Sequence, residues 1–300
     1  MKTIQKTAIA LAASGLFATA AFAQTAPAAE APEASPVTAN VTVVNNYVYR
    51  GLTQSNFKPA IQGGFDYAHD SGFYVGNWNS SISWLGDGYA TSTPRTATVS
   101  APVEMDFYAG FKKELIGEGF VSDLGVLQYY YPTQGMPGMA IGGSTSAKNA
   151  LIASGRQAIG VNPNTTELYA AQNFTFGPLT GFVKVSYAVT PLFGIYNSSG
   201  SYYPDLTANY DTGFYGITAN AHVGYQVIPN SYKNTAGQSM NFSYMDWKLG
   251  LTKDFGGGLS GALAYVGTTA ATVGGSYIYA TPQSKNAGAS QYLVSLTKTF

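Results

Sequence analysis

Apolar and polar residues alternate along most of this chain, from Val41 to the last residue. Alternation with a period of two is typical of a β-strand that has one apolar and one polar face. The clearest stretch is 214–227, where Tyr215, Ile217 and Val223 fall on one face and His222 on the other. We predict twelve strands, at residues 41–50, 58–68, 73–84, 102–112, 120–131, 166–175, 180–190, 203–210, 214–227, 243–254, 259–269 and 290–300.

The last ten residues, 291–300, alternate in the same way and end on the aromatic Phe300. This ending looks like that of bacterial outer-membrane barrels, in which the final strand closes the barrel against the first. We therefore expect Phe300 to be the barrel-closing C-terminal residue. Lys298 interrupts the apolar face, and we place it at the periplasmic rim, where a lysine can extend toward lipid headgroups.

The connections between the predicted strands are alternately short and long. Short connections such as 69–72 and 255–258 follow the even-numbered strands, and long ones such as 85–101 and 132–165 follow most of the odd-numbered strands. An even strand count with short periplasmic turns and long extracellular loops is the pattern of transmembrane β-barrels. We predict an all-β fold, a single antiparallel transmembrane barrel of about twelve strands. A soluble β-sandwich with its apolar face inward has the same alternation and stays open.

The N-terminus predicts a secretory signal peptide over residues 1–23. Lys2 and Lys6 precede an apolar run, and the small residues around Ala23 form a cleavage site that leaves Gln24 as the new N-terminus. We expect residues 24–37, rich in Ala and Pro, to be a disordered periplasmic linker. Residues 38–300 would then form the barrel in the outer membrane of a Gram-negative bacterium.

Composition supports a membrane barrel over an average soluble enzyme. Only 10% of the residues are charged, 14% are aromatic and there is no cysteine. Without the signal peptide, 13 basic and 15 acidic residues give a net charge of −2, so we expect no nucleic-acid partner. Beyond the signal peptide no run of 18 apolar residues occurs, which leaves a closed barrel as the way to cross a bilayer.

Residues 45–80 resemble the N-terminal block of the TorF-type family of proteobacterial outer-membrane porins. The matching motifs are N-Y-x-x-R-G-x-x-Q from Asn46 to Gln54, K-P-A-x-Q-G-G-F-D-Y from Lys58 to Tyr67, and S-G-F-Y-V-G-x-W from Ser71 to Trp78. The match is dense over these residues and diffuse beyond them. The resemblance implies an outer-membrane barrel and a channel, and it transfers no catalytic or substrate-binding residue.

Inward side chains decide what passes through a barrel. Our assignment places six acids, four fixed cations and one histidine inside, as pore-lining candidates: Arg50, Asp66, Glu104, Asp106, Lys112, Asp123, Glu167, Lys184, His222, Asp246 and Lys248. This set predicts either a water-filled lumen with a mild preference for cations or salt bridges that plug the barrel. About eight strands leave room for side chains only and about sixteen leave an aqueous channel, so twelve decides neither.

Two features of the loops extend this prediction. Arg50, beside Gly51, is expected to pair with a lumen acid such as Asp66 across the first hairpin. The long loop 132–165 is expected either to fold into the barrel mouth, with Lys148 and Arg156 facing the pore as constriction residues, or to remain a surface loop.

Enzyme motifs are absent from the sequence, so we predict no enzyme, no cofactor and no metal site. The two histidines, His69 and His222, fall in a predicted turn and on a strand, and no H-E-x-x-H or G-x-S-x-G occurs. The main prediction is a passive channel for small hydrophilic solutes or ions. The alternatives are a non-conducting structural or binding barrel and, less favoured, a barrel enzyme. Expected partners are outer-membrane lipid, lipopolysaccharide, small solutes and the barrel-assembly machinery, which would bind the C-terminal strand.

Overall fold

A closed antiparallel barrel of twelve strands forms the body of the protein. The computed structural model describes residues 35–90, 100–133, 162–233 and 236–300. The strands in chain order are β1 (Val37–Val44), β2 (Val48–Tyr49), β3 (Leu52–Thr53), β4 (Ala60–Ala68), β5 (Phe73–Ser81), β6 (Val103–Gly117), β7 (Phe120–Tyr130), β8 (Thr165–Phe176), β9 (Leu179–Ala188), β10 (Tyr202–Asp211), β11 (Ile217–Gln226), β12 (Ser231–Lys233), β13 (Ser239–Asn241), β14 (Tyr244–Gly256), β15 (Leu259–Thr268), β16 (Thr272–Val273), β17 (Ser276–Tyr277) and β18 (Gln291–Thr299). A helix, α1 (Trp84–Ala90), and a 3₁₀ turn, Leu192–Gly194, lie in the connections.

The barrel closes between its first and last strands. β1 pairs with β18 from Asn40 opposite Thr299 to Val44 opposite Ser295, and on its other side with β4. The remaining barrel strands pair in chain order, and β2–β3, β12–β13 and β16–β17 form separate small hairpins. Closure leaves the barrel no free strand edge, which satisfies every backbone group of the wall from within. The predicted fold class is confirmed.

The outer face of the barrel is apolar. Phe65, Val183, Leu249 and Val294 are among the large hydrophobic side chains that are more than half exposed on it. The alternate residues of the same strands face inward and mix charged and small residues with a few large apolar ones such as Phe182 and Leu293. A continuous apolar face on the outside is the arrangement of a barrel that lies in lipid. No helix among the described residues is long and apolar enough to cross a membrane.

Short connections lie at one end of the barrel and long ones at the other. We call these the turn end, with residues 69–72, 118–119, 177–178, 212–216 and 257–258, and the loop end. At the loop end, the connections after β9, β11 and β15 pack together around Leu192, Ile195, Phe242, Ile278 and Tyr279, which are buried. The apolar contacts make this end an ordered surface over the barrel.

The largest errors in the predicted boundaries are in the first and the fourth strands. The first strand was expected over 41–50, but β1 spans Val37–Val44, and the chain leaves the wall at Asn45 and Asn46. The Asn45 side chain forms hydrogen bonds with the backbone of Tyr292 and Val294 in β18. The residues that follow turn inward and form a hairpin centred on Arg50–Gly51 instead of pairing with the wall. The turn expected at 113–119 is shorter, since β6 continues to Gly117 past a bulge.

Several predictions fall on residues outside the described part. They are the signal peptide with its cleavage between Ala23 and Gln24, most of the linker, and the loop residues Lys148 and Arg156.

Candidate functional site

The connection between β1 and β4, residues 45–59, folds into the barrel and forms what we call the inner loop. Its strands β2 and β3 make a short hairpin with Arg50 and Gly51 at the apex, both at positive φ (44° and 76°). Tyr47 is fully buried, and Asn46, Thr53 and Ser55 are nearly so. The loop therefore occupies the interior at the loop end instead of extending over the rim.

Arg50 anchors the inner loop to the far wall. Its Nη1 and Nη2 donate to the two carboxylate oxygens of Glu167 at 3.0 and 2.7 Å, and Nη1 also donates to Gln226 Oε1 at 2.7 Å. The guanidinium lies 4.2 Å from the ring centre of Tyr203 and 4.9 Å from that of Tyr49, within cation–π range. Burial lowers the pKa of Arg50, but Glu167 together with the hydroxyls of Tyr49 and Tyr129 more than offsets it and holds this pKa well above its ordinary value.

The apex also presses against the wall formed by β14 and β15. A Cβ added at Gly51 would lie 2.7 Å from the Cβ of Asp246 and even closer to the methyl group of Thr268. Glycine is required here both for the left-handed backbone and for this close approach. Beside the apex, Val48 packs on Ala264, Val266 and Leu293, an apolar patch on the inward faces of β15 and β18. This patch is the seat of the hairpin.

The third side of the inner loop is held by tyrosines. The carboxylate of Glu104 accepts one hydrogen bond from the Tyr47 hydroxyl at 2.5 Å and one from Tyr131 at 2.6 Å. The hydroxyls of Tyr49 and Tyr129 bond to each other, and Phe193, from the connection after β9, packs edge-on against both rings. The loop is therefore bonded to the wall in several directions and narrows the lumen.

A second polar cluster lies directly beneath the apex, at mid-barrel. The imidazole of His222 is between two carboxylates, with Nδ1 3.0 Å from Asp205 Oδ1 and Nε2 3.0 Å from Asp246 Oδ2. Tyr203 donates to the other oxygen of Asp246 at 2.7 Å. Lys184 Nζ lies 3.8 Å from Asp205, so a cation from β9 joins the cluster.

A third cluster lies toward the turn end. Asp123 accepts from the Tyr74 hydroxyl at 2.6 Å and has Lys112 Nζ at 3.6 Å from its second oxygen. Asp66 accepts a hydrogen bond from the Tyr108 hydroxyl at 2.5 Å.

Between these clusters is a cavity with about 540 Å³ of empty space, its open side included. Tyr129 bounds it below the inner loop, and Phe182, Lys184 and the tyrosines Tyr74, Tyr108 and Tyr169 line its walls. Aromatic faces and one ammonium group are thus available to a solute in the lumen.

All eleven pore-lining candidates lie within the described residues, on the inner loop or on inward strand positions. Ten of them are on barrel strands, and the register places His222 opposite Lys248 and Lys112 opposite Asp123. Asp106 is fully buried between Trp78 and Tyr129, and neither of its carboxylate oxygens has a hydrogen-bond partner among the described residues. Whether these residues line a conducting pore stays a prediction.

Arg50 pairs with a lumen acid as expected, but the example that we gave, Asp66, was wrong. Arg50 pairs with Glu167 instead, because the inner loop carries it away from the first hairpin. Sequence reasoning also missed Asp205, whose carboxylate contacts His222 and Lys184. Its signal was present: in Tyr203-Pro204-Asp205-Leu206-Thr207 the polar residues alternate with Leu206, which is exposed on the outer face.

Taken together, the strand pairing and the side-chain pattern define a closed twelve-stranded β-barrel with an apolar outer face and a loop folded into its lumen. Residues 28–300 match the family described as "Bacterial protein of unknown function (Gcw_chp)", and the chain belongs to this family. No curated protein matches the sequence. The expected assignment to the TorF-type family is not confirmed, because the matching family carries a different description.

Solved structures of outer-membrane barrels resemble the chain at low identity. KdgM porin shares 7% identity over 88% of this chain and 98% of its own, with a TM-score of 0.46. NanC porin shares 9% over 87% and 98%, with a TM-score of 0.49. Outer membrane phospholipase A from Escherichia coli shares 13% over 87% and 91%, with a TM-score of 0.41. Such scores carry no information about function, and the barrel is established here by its own strand pairing.

Proposed function

We propose that this protein is a porin-like channel that lets small hydrophilic solutes or ions cross the outer membrane of a Gram-negative bacterium. A cleaved signal peptide would deliver it, and the loop end would face outward. The observation that supports the proposal is the interior itself, where charged side chains on the wall and the inner loop surround a cavity. A barrel that serves only as an anchor needs no such interior.

The inner loop would form the constriction of this channel. Arg50, Tyr47 and Val48 reach three different parts of the wall, so the loop crosses the lumen instead of following one side. Seven inward carboxylates, Asp205 included, outnumber four fixed cations and one histidine among the described residues. This balance favours the passage of cations over anions.

Conductance in a planar bilayer under a salt gradient tests the proposal. We expect discrete steps for the refolded full chain and a reversal potential of the sign that cation passage gives. Steps with the anion sign would keep the channel and overturn the charge argument. Folded, heat-modifiable protein that never conducts would overturn the channel.

A second candidate is a non-conducting barrel that serves as a structural or binding protein. The favouring observation is the number of bonds that hold the inner loop, above all the two hydrogen bonds from Arg50 to Glu167. Replacing residues 47–54 by a Gly/Ser linker of the same length separates the two candidates. If the loop constricts a channel, this replacement raises the conductance. If side chains of the wall fill the barrel, the replaced protein still does not conduct.

A barrel enzyme is the least supported reading. His69 lies in the turn between β4 and β5 and His222 on β11, so the two do not share a site. The described residues contain no group of three or more His, Cys, Asp or Glu placed to hold a metal. We further propose lipid, lipopolysaccharide and the barrel-assembly machinery as partners, and the TorF-type porins as relatives in function, on the strength of the motifs at 46–78.

A further inference from the structure

Only the imidazolium form of His222 can donate a hydrogen bond to both of the carboxylates beside it. Its Nδ1 and Nε2 each lie 3.0 Å from a carboxylate oxygen, of Asp205 and Asp246. A carboxylate only accepts hydrogen bonds, and a neutral imidazole has one N–H. Neutral His222 could therefore donate to only one of the two acids. Its other ring nitrogen would accept from the hydroxyl beside it, Thr207 at 3.1 Å from Nδ1 or Tyr203 at 3.0 Å from Nε2. The geometry fits the imidazolium form.

One of the two acids, Asp246, is connected directly to the apex of the inner loop. Asp246 accepts from the Tyr203 hydroxyl at 2.7 Å, and the Tyr203 ring lies under the guanidinium of Arg50. The Cβ of Asp246 also packs beneath Gly51. Both contacts that position the apex from below therefore depend on residues that His222 holds in place.

We propose that His222 is a proton-dependent latch of the inner loop. When His222 is charged, it holds Asp205 and Asp246 together, and the apex stays seated on Tyr203 and Asp246. When it loses its proton, one carboxylate loses the donor that His222 supplied, and the cluster loses one positive charge. The apex then loosens and the lumen widens, so the channel would conduct more at alkaline than at acidic pH. The electrical part of this inference rests on the proposed channel function.

Other charged or titratable groups face His222, and the experiment must distinguish their titration from that of His222. Asp205 and Tyr203 lie on β10, Asp246 on β14 and Lys184 on β9, and Arg50 reaches Tyr203 from the inner loop. Lys248 on β14 stands opposite His222 in the register and is the strongest competing candidate for a proton-dependent change. The test therefore includes two variants, Lys248→Met and His222→Gln. Each replaces a titratable side chain by one that is uncharged at every pH.

A thiol reporter measures the seating of the loop without any current. The chain has no cysteine, so Val48→Cys places a single small side chain on the patch that seats the hairpin. Maleimide labelling of the refolded full chain is followed from about pH 6 to about pH 9. This range includes the ordinary pKa of a histidine side chain. Ser276→Cys, exposed on β17 at the loop end, corrects for the intrinsic pH dependence of thiol reactivity.

We expect the corrected labelling rate to rise by about tenfold with pH, within the usual range of coupling between two sites. His222→Gln should label fast at all pH values, while His69→Gln, which changes the other histidine, and Lys248→Met should keep the transition. A flat wild-type profile, or a transition that survives in His222→Gln, overturns the latch. A transition that is lost in Lys248→Met alone assigns the switch to that lysine and overturns it as well.

Conductance recorded over the same pH range separates this inference from the proposed function. A labelling transition with no current at any pH would leave the latch standing and overturn the channel. Steps that do not change with pH, together with a flat labelling profile, would leave the channel standing and overturn the latch.

Discussion

The guanidinium of Arg50 donates two parallel hydrogen bonds to the carboxylate of Glu167, at 3.0 and 2.7 Å, from opposite parts of the barrel interior. The side chains are 6% and 2% exposed. A buried bidentate pair of this kind combines charge with a fixed geometry. It is one of the contacts that hold the apex of the inner loop, and no other residue of the described loop carries a cation that far across the lumen.

Removing one member of this pair should destabilise the protein more than removing both. Arg50→Met leaves the Glu167 charge buried, and Glu167→Gln leaves the guanidinium without its counter-charge, so each should cost about 3–5 kcal/mol of the unfolding free energy. The double variant should cost clearly less than the sum, because no lone charge remains. Urea titration of the refolded barrel in lipid vesicles measures the unfolding free energy of the wild type, the two single variants and the double variant, which together form a double-mutant cycle.

Additive costs would contradict this prediction and show that the two residues act independently. The surface pair Lys58–Asp87, with a distance of 3.4 Å and an exposed lysine, is the matched control. Lys58→Met should cost no more than about 1 kcal/mol, as exposed ion pairs do.

Gly51→Ala should unseat the apex of the inner loop. The added Cβ would meet Asp246 and Thr268 of the wall, in addition to the strain of an alanine at φ 76°. Gly237→Ala is the control, because Gly237 has the same φ of 76° with no described atom within 4 Å of the added Cβ. We expect Gly51→Ala to raise the conductance, and the accessibility of a thiol at Val48→Cys, more than Gly237→Ala does. Equal effects of the two variants would show that the apex is not pressed against the wall.

The wall could be predicted from the sequence because strand alternation is a local property. The predicted stretch 58–68 agrees with β4 (Ala60–Ala68) to within two residues, since the lipid-facing residues are apolar and their neighbours are not. The inner loop could not be predicted in this way. Val48 and Arg50 continue the alternation of the first strand, so the pattern does not show that the chain leaves the wall after Val44 and that Val48 packs across the lumen on β15 and β18.

The pairing partners of the charged interior residues could not be predicted from the sequence, for a different reason. Arg50 and Glu167 are 117 residues apart, and their pairing depends on how far the inner loop crosses the barrel. The alternation of apolar and polar residues in a strand does not indicate how far a loop extends across the lumen. Asp205, in contrast, was available from the alternation around Leu206, and only its place next to His222 required the structure.

The carboxylate of Glu104 should be a sensitive point of the inner loop. It is almost fully buried and accepts one hydrogen bond from Tyr47 on the loop and one from Tyr131 on the wall side. Tyr47→Phe and Tyr131→Phe should each cost about 1–3 kcal/mol of unfolding free energy, since a buried acceptor loses a donor. Only Tyr47→Phe should also increase labelling of the thiol at Val48→Cys, because Tyr131 is not part of the loop. Tyr225→Phe, on the lipid face, should leave both measurements unchanged.

The aromatic ring of Phe300 should affect assembly more than stability. The backbone of Phe300 pairs with Ala39 and completes the closure of β1 on β18, while its side chain is 72% exposed at the turn end. Phe300→Ala keeps the backbone pairing, so unaided folding into vesicles should proceed at the wild-type rate. Folding assisted by purified barrel-assembly machinery should slow several-fold, as the appearance of the heat-modifiable band would show. Phe214→Ala removes another exposed aromatic ring from the same end and should slow neither reaction. If Phe300→Ala and Phe214→Ala slowed the assisted reaction equally, the C-terminal ring would be an ordinary membrane contact and not a recognition element.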